Sequence, residues 1–229
     1  MLILAFDTSS KTASVAVMQN ETVLYDVVLN TGLNHSEVLL PAIDKACKDA
    51  GCKISGMDLF ACTLGPGSFT GLRIGASTLK GLMIAQGKPA VGVSSLAALA
   101  LNAGRTEKTI CSVMDAGRGQ VYLACYQYDK EGSLIQLGQE KALSPEQIEN
   151  GSKENIIYVG DGAVKYADEI RKNTGGNIFI DAENQYIHAS SVGLLALRKF
   201  KQGDMLDLNG CTPVYLRSAD ALPPKKMFP

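Results

Sequence analysis

The chain opens on three apolar runs, 2–7, 13–19 and 21–29, parted by short polar breaks. Runs of this length, bounded by turn residues such as Gln19-Asn20-Glu21, predict a three-strand meander. The period then changes. Apolar or small side chains at 38, 39, 42, 43, 46, 47 and 50 follow helical spacing and predict a helix over 36–50. Ser36 or Asn34 is its candidate cap, and Gly51 its stop. A strand is predicted at 59–64. The turn Gly65-Pro66-Gly67 leads to a helix over 69–86 with Ser68 as N-cap, and Gly87-Lys88-Pro89 ends it. A short strand at 90–93 and a short helix at 96–102, capped by Ser94 or Ser95, complete the first half. The second half repeats the plan in shorter form. Strands are predicted at 109–115, 120–128 and 134–142, a short helix opens at Ser144-Pro145-Glu146, and a strand follows at 156–159. A helix over 164–172, a strand at 177–180 and a last helix over 192–201, capped by Ser190 or Ser191, follow. The tail 223–229 reads as irregular.

The repeat shows in detail at two places. Ile3-Leu4-Ala5-Phe6 ends on Asp7, and Ser112-Val113-Met114 ends on Asp115; each aspartate is followed by a small, polar turn and a second apolar strand. A meander followed by α-β-α-β describes a ribonuclease-H-like unit. Two copies predict the α/β actin-like ATPase architecture, with a shortened second lobe. The expected lobes are 1–104 and 105–229, with the last helix, 190–203, packing back on the first.

Composition narrows the classes. The chain is 46% hydrophobic and 20% charged, with a formal net charge of −1. It lacks the basic balance of a protein that binds nucleic acid unaided. No apolar run is long enough to span a membrane, and the N-terminus carries no basic segment before Asp7. The expected location is cytoplasmic. The six cysteines form no C-x-x-C pair, so they are expected to be reduced, as small buried hydrophobes, and not to form a zinc site or a disulfide.

Several segments carry candidate chemistry. Asp7, Thr8 and Ser9 have two readings: a phosphate-binding hairpin with a metal on Asp7, or a strand-end Asx turn. No glycine lies between Asp7 and Lys11, whereas such a hairpin needs one for close approach. Asp115, Gly117 and Arg118 form a second turn, readable as an anion site or as a hairpin needing positive φ. Gly65-Pro66-Gly67-Ser68 at a helix N-terminus is a candidate anion site but is neither a dinucleotide loop nor a P-loop. The helix beyond it holds Gly71, Gly75 and Gly81, each costing about 1 kcal/mol against alanine. Something must pack close to it, either a neighbouring core helix or another chain. The stripe on 36–50 is wider than one sheet face needs and suggests a second packing surface, a fully covered core helix being the alternative. His35 has Leu39 four residues on, not a second histidine, so it reads as a cap or hydrogen-bonding residue and not a metal ligand. Neither His35 nor His188 has an assignable Ser-His-Asp or Cys-His partner. No catalytic residue, metal or cofactor is expected.

Phe6-Asp7-Thr8-Ser9, Asn34-His35-Ser36-Glu37, Gly65-Pro66-Gly67-Ser68-Phe69-Thr70-Gly71-Leu72-Arg73-Ile74-Gly75 and Pro213-Val214-Tyr215-Leu216-Arg217 together resemble the TsaB (YeaZ) family, in order along essentially the whole chain. The resemblance implies a noncatalytic paralogue of TsaD, the catalytic subunit that adds threonylcarbamoyl to N6 of adenosine 37 in tRNA. It implies a TsaD-like partner, a TsaE-like ATPase joining them, a homodimer when alone, and contact with tRNA only through the complex. In TsaD a histidine pair on the first long helix holds a metal; here Leu39 stands at the second position. Gly160-Asp161-Gly162 is only a fragment of an adenosine-binding turn. The implied partner surface lies on the first two long helices, at Val38, Leu39, Ala42, Ile43, Ala46, Gly71, Ile74, Gly75 and Thr78. Asp7, Thr8, Ser9, Asp115, Gly117 and Arg118 then line a vestigial cleft. An independent nucleotide-dependent phosphotransferase is the competing reading. A peptidase, which the family's older glycoprotease label suggests, would need a metal pair or a nucleophile with its base.

Overall fold

The structure, a computed structural model, describes residues 1–148, 156–174 and 179–217. Strands β1 (Leu2–Asp7), β2 (Ala13–Gln19) and β3 (Thr22–Leu29) form the meander, and β4 (Leu59–Gly65) and β5 (Ala90–Ser94) add in parallel beyond β1. The sheet order is β3-β2-β1-β4-β5. A second sheet of β6 (Thr109–Gly117), β7 (Gln120–Tyr128), β8 (Leu134–Leu143), β9 (Ile156–Val159) and β10 (Phe179–Asp181) has the order β10-β9-β6-β7-β8. Both sheets pair a meander with parallel strands in the same way, so the repeat read in the sequence is a repeat of topology.

β1 is apolar up to Asp7 because both of its faces are covered. Leu4 and Phe6 point to a core closed by α1 (His35–Asp49) and α2 (Phe69–Gln86). Ile3 and Ala5 point to a second core, which holds α3 (Ser95–Asn102), α6 (Ala189–Lys201) and residues of the second sheet, including Ile110, Met114 and Tyr126. A third core lies on the far side of the second sheet, where Val113 and Tyr158 meet Ala163 of α4 (Asp161–Lys165) and Ile170 of α5 (Ala167–Asn173). α6 packs across β1 and β2, so the last helix covers the first sheet. The chain after it runs back along the first sheet as a strap: Leu206 N donates to Ala90 O at 2.9 Å and Val214 N to Leu64 O at 2.6 Å.

Several expectations need correction. α1 starts at His35, one residue before the predicted start, and of the two candidates Asn34 holds the N-cap position; its side chain bonds the Glu37 carboxylate and no backbone amide of the helix. Ser190 and Ser191 are not the caps of α6, which follows His188; they bond Asp26 and Asn102. The helix predicted over 164–172 is two short helices parted at Tyr166. The element opening at Ser144 is a single 3₁₀ turn, Pro145–Gln147. The first part of the strand predicted at 177–180 and the tail 223–229 lie outside the described residues. The cysteines are not all reduced: Cys111 and Cys125 are joined. Register is the reason, since β6 and β7 place these two residues directly opposite each other, which spacing along the chain does not reveal. Cys47, Cys52, Cys62 and Cys211 are free.

Candidate functional site

The two aspartate turns face one cleft of about 770 Å³, lined among others by Ser9, Lys11, Asp115, Gly117, Asp161 and Arg217. In the first turn the aspartate is enclosed. Asp7 is wholly buried, and its Oδ1 accepts from Ser9 N at 3.0 Å and from the Thr63 hydroxyl. This is the Asx turn, with Thr63 added. Burial pushes the Asp7 carboxyl above its ordinary range. Thr8 is buried as well and donates to Gly71 O at 2.8 Å, while Ser9 O accepts from Ser68 N. The turn is thus docked on the start of α2 through the Thr8 hydroxyl and the Ser9 carbonyl, and Ser9, Ser10 and Lys11 are what it offers the cleft.

That docking accounts for the glycines of α2. A Cβ on Gly71 would lie 2.0 Å from Thr8 O, and one on Gly75 would lie 2.6 Å from Thr8 Oγ1. What packs close is neither a helix nor another chain but the β1–β2 turn. Gly81 is exposed with nothing near its Cβ position. Ser68 caps α2 by accepting from Gly71 N at 3.2 Å.

The second turn stays open. Gly117, Arg118 and Gly119 all take positive φ, as a tight hairpin end requires. Asp115 accepts from Gly117 N at 3.0 Å and from Lys165 Nζ at 2.7 Å, which pushes the Lys165 ammonium up to about 12. Asp161 Oδ1 accepts from Asp115 N at 3.0 Å, and burial raises its carboxyl. Lys11 reaches from the first turn toward Tyr186, whose ring centroid is 5.2 Å from its Nζ. Arg217 of the strap donates to Ala116 O at 3.1 Å. Asp161, Lys11, Arg73, Tyr215 and Arg217 also line the cleft, and none of them belongs to the phosphate-turn residues expected from the sequence. In the sequence Asp161 stands out only as part of the Gly160-Asp161-Gly162 turn. The Pro213–Arg217 motif was the one signal pointing to the strap.

A second concavity, about 430 Å³, lies between α1 and α2, lined by Ser36, Leu39, Leu40, Phe69, Thr70, Arg73, Ile74, Ser77 and Thr78. Its surface differs from the expected partner stripe. Leu39, Ile43, Ala46, Gly71 and Gly75 are buried within the lobe, because they face the sheet and the β1–β2 turn. Val38, Ala42, Ile74 and Thr78 are half-buried, and Leu40 is 58% exposed. His35 Nε2 meets Ser10 O at 2.8 Å, which fits a hydrogen-bonding residue. Among the described residues no three His, Cys, Asp or Glu side chains converge as metal ligands. None of the described helices is long and apolar enough to cross a membrane.

A family profile for TsaD, described as tRNA N6-adenosine threonylcarbamoyltransferase, matches residues 29–167. A Bacillus subtilis protein named tRNA threonylcarbamoyladenosine biosynthesis protein TsaB is 31% identical, with 96% of each chain covered. The chain belongs to the TsaB (YeaZ) family. The solved structure of YeaZ from Pseudomonas aeruginosa is similar to this TsaB-family fold with a TM-score of 0.82 and 28% identity, covering 94% of this chain and 99% of that one. A ROK hexokinase from Thermus thermophilus matches with a TM-score of 0.50 at 14% identity, covering 88% of this chain and 100% of that one. That likeness shows the actin-like fold alone. The chain therefore spans the TsaB fold nearly end to end, with its first aspartate turn sealed.

Proposed function

We propose that this chain is a noncatalytic subunit in the synthesis of N6-threonylcarbamoyladenosine in tRNA, and that it binds a TsaD-type transferase through α1 and α2. The observation that carries the reading is the end-to-end match to proteins named TsaB. The site geometry supports the noncatalytic part. Asp7 is enclosed, and Leu39, where a second histidine would stand, is 1% exposed in the core. The groove supports the partner part: an apolar floor of Leu39, Leu40, Phe69 and Ile74 with a hydroxyl rim fits an amphipathic helix from another chain. The contact residues on this reading are Val38, Leu40, Ala42, Ile74 and Thr78, with the buried members of the stripe holding the helices in place. A TsaE-like ATPase joins the pair, tRNA meets the subunit through the complex, and the same face closes a homodimer when the partner is absent. The place of action is the cytoplasm.

The test is size-exclusion chromatography with light scattering, on the chain alone and mixed with the TsaD homologue of its organism. Leu40→Glu and Thr78→Glu are the variants of choice, because Leu39→Glu, Ile43→Glu or Gly75→Leu would disrupt the lobe itself. The expected result is a heteromeric peak that both variants abolish while keeping their thermal transitions. Absence of any complex, with and without nucleotide and the TsaE homologue, would overturn the reading.

A further inference from the structure

The Cys111–Cys125 pair has no part in the reading above and stands apart from it. β6 and β7 are already laddered on both sides of the pair: Ile110 opposes Tyr126 and Ser112 opposes Ala124. The bond joins residues 14 apart within one hairpin, with Cα atoms 4.1 Å apart, near the ~4.5 Å spacing of a non-hydrogen-bonded antiparallel pair. The hairpin's pairing does not depend on the bond, so the bond can open without unfolding the sheet.

The two sulfurs differ in access. Cys111 is 3% exposed, among Val113, Val121, Tyr158 and Ile170. Cys125 is half-buried. The reason lies in the neighbouring strand: the β7–β8 register shifts between Leu123, which faces Lys141, and Cys125, which faces Leu137. A slip of this kind locally breaks the ladder that covers β7 on its edge side. Cys125 is therefore the more exposed of the two residues, and the enclosed Cys111 lies against it. That is the layout of an attacking cysteine and its resolving partner.

We propose that Cys125 and Cys111 form a reversible thiol switch, with a hydroperoxide as the oxidant. The Cys125 thiolate attacks the peroxide; the O–O bond breaks, the sulfur becomes a sulfenic acid and hydroxide leaves. Cys111 sulfur then attacks Cys125 sulfur; the S–O bond breaks, the S–S bond forms and water departs with the Cys111 proton. Two thiols lose two electrons and the peroxide gains them. The same hairpin carries Asp115, Ala116, Gly117 and Tyr122 into the inter-lobe cleft, so the oxidised form holds that wall of the cleft more rigidly than the dithiol form.

The experiment treats the full-length, fully reduced protein with hydrogen peroxide, denatures it and alkylates it before and after a dithiol reductant. The expected result is four alkylated cysteines, Cys47, Cys52, Cys62 and Cys211, before reduction and all six after. A cross-linked 111–125 peptide about 2 Da lighter than the dithiol pair should accompany the change. Hydrogen exchange should be slower over 110–126 in the oxidised form. Cys111→Ser removes the resolving thiol, and peroxide then drives Cys125 to the sulfinic acid. Six alkylatable cysteines after peroxide, a bridge to a different cysteine, or a Cys111→Ser variant whose Cys125 stays unoxidised would each overturn the proposal. So would a bridge that a dithiol reductant, added to a second sample before denaturation, fails to open.

Discussion

Gly71 and Gly81 lie on one helix ten positions apart, yet alanine should move them in opposite directions. At Gly71 the added methyl meets a carbonyl oxygen of a turn that Ser68 and Gly71 themselves hold in place. Backbone has little room to yield, so Gly71→Ala should lose about 3 kcal/mol in urea unfolding. At Gly81 the methyl enters open space, and the helix gains intrinsic propensity of about 1 kcal/mol. Asp7 makes a third residue-level case. Its carboxyl ordinarily titrates near 3.8 and burial raises it in the fold. The folded chain thus keeps a proton that the unfolded chain has released, and stability falls as pH rises from about 3.8 through the folded value. Asp7→Asn keeps an acceptor for Ser9 N and Thr63 and removes the charge. The variant should show a flatter melting temperature between pH 4 and 8 and a higher one at pH 7. A marked loss of stability at pH 7 would show instead that the ionised carboxylate is needed.

At the scale of elements, α6 is tied to the first sheet by polar contacts at its start. His188 Nδ1 meets Asp26 Oδ2 at 3.0 Å and Ser190 donates to the same oxygen at 2.6 Å. The bond to Asp26 raises the His188 imidazole above its ordinary 6.5. A raised histidine contributes stability that is fully present below the unfolded value and is lost as pH rises through the folded one. NMR titration should place His188 above 6.5, and Asp26→Asn should return it toward that value. An unchanged titration in Asp26→Asn would remove the tie. The sequence showed the elements themselves well, because strands buried on both faces and helices of strict period leave local marks. The strands of both meanders and α2 were legible to within a residue or so of their ends. Contacts between elements were not legible. Ser190 looked like a cap because its partner, Asp26, is remote in the chain. The α2 glycines looked like a partner surface because nothing local says that the β1–β2 turn lies on them. Cys111 and Cys125 needed a register to meet. Leu39, Ile43 and Ala46 entered the expected interface because a wide apolar stripe does not say which part faces the sheet.

For the whole molecule, the question is whether two lobes that repeat in sequence are two folding units. The core that holds Ile3, Ala5, Ala16 and Met18 of the first sheet also holds Ile110, Met114 and Tyr126 of the second, with α3 and α6 between them. α6 comes from the far end of the chain and covers β1 and β2, and the strap after it bonds to β4 and β5. A fragment ending at residue 104 keeps every strand of the first sheet but loses α6, the strap and the second sheet. One face of β1 and β2 is then open to water. Exposing Ile3 and Met18 alone removes about 1.5–3 kcal/mol each, against a total domain stability of about 5–15 kcal/mol. The fragment should therefore have strand-rich far-UV circular dichroism, bind a hydrophobic dye and show no cooperative thermal transition. The full chain, sharing one core, should unfold in a single step, with far-UV and tyrosine near-UV signals coinciding along a urea titration. A fragment 1–104 that melts sharply, or two separated steps in the full chain, would mean that the shared core is not what holds the lobes together.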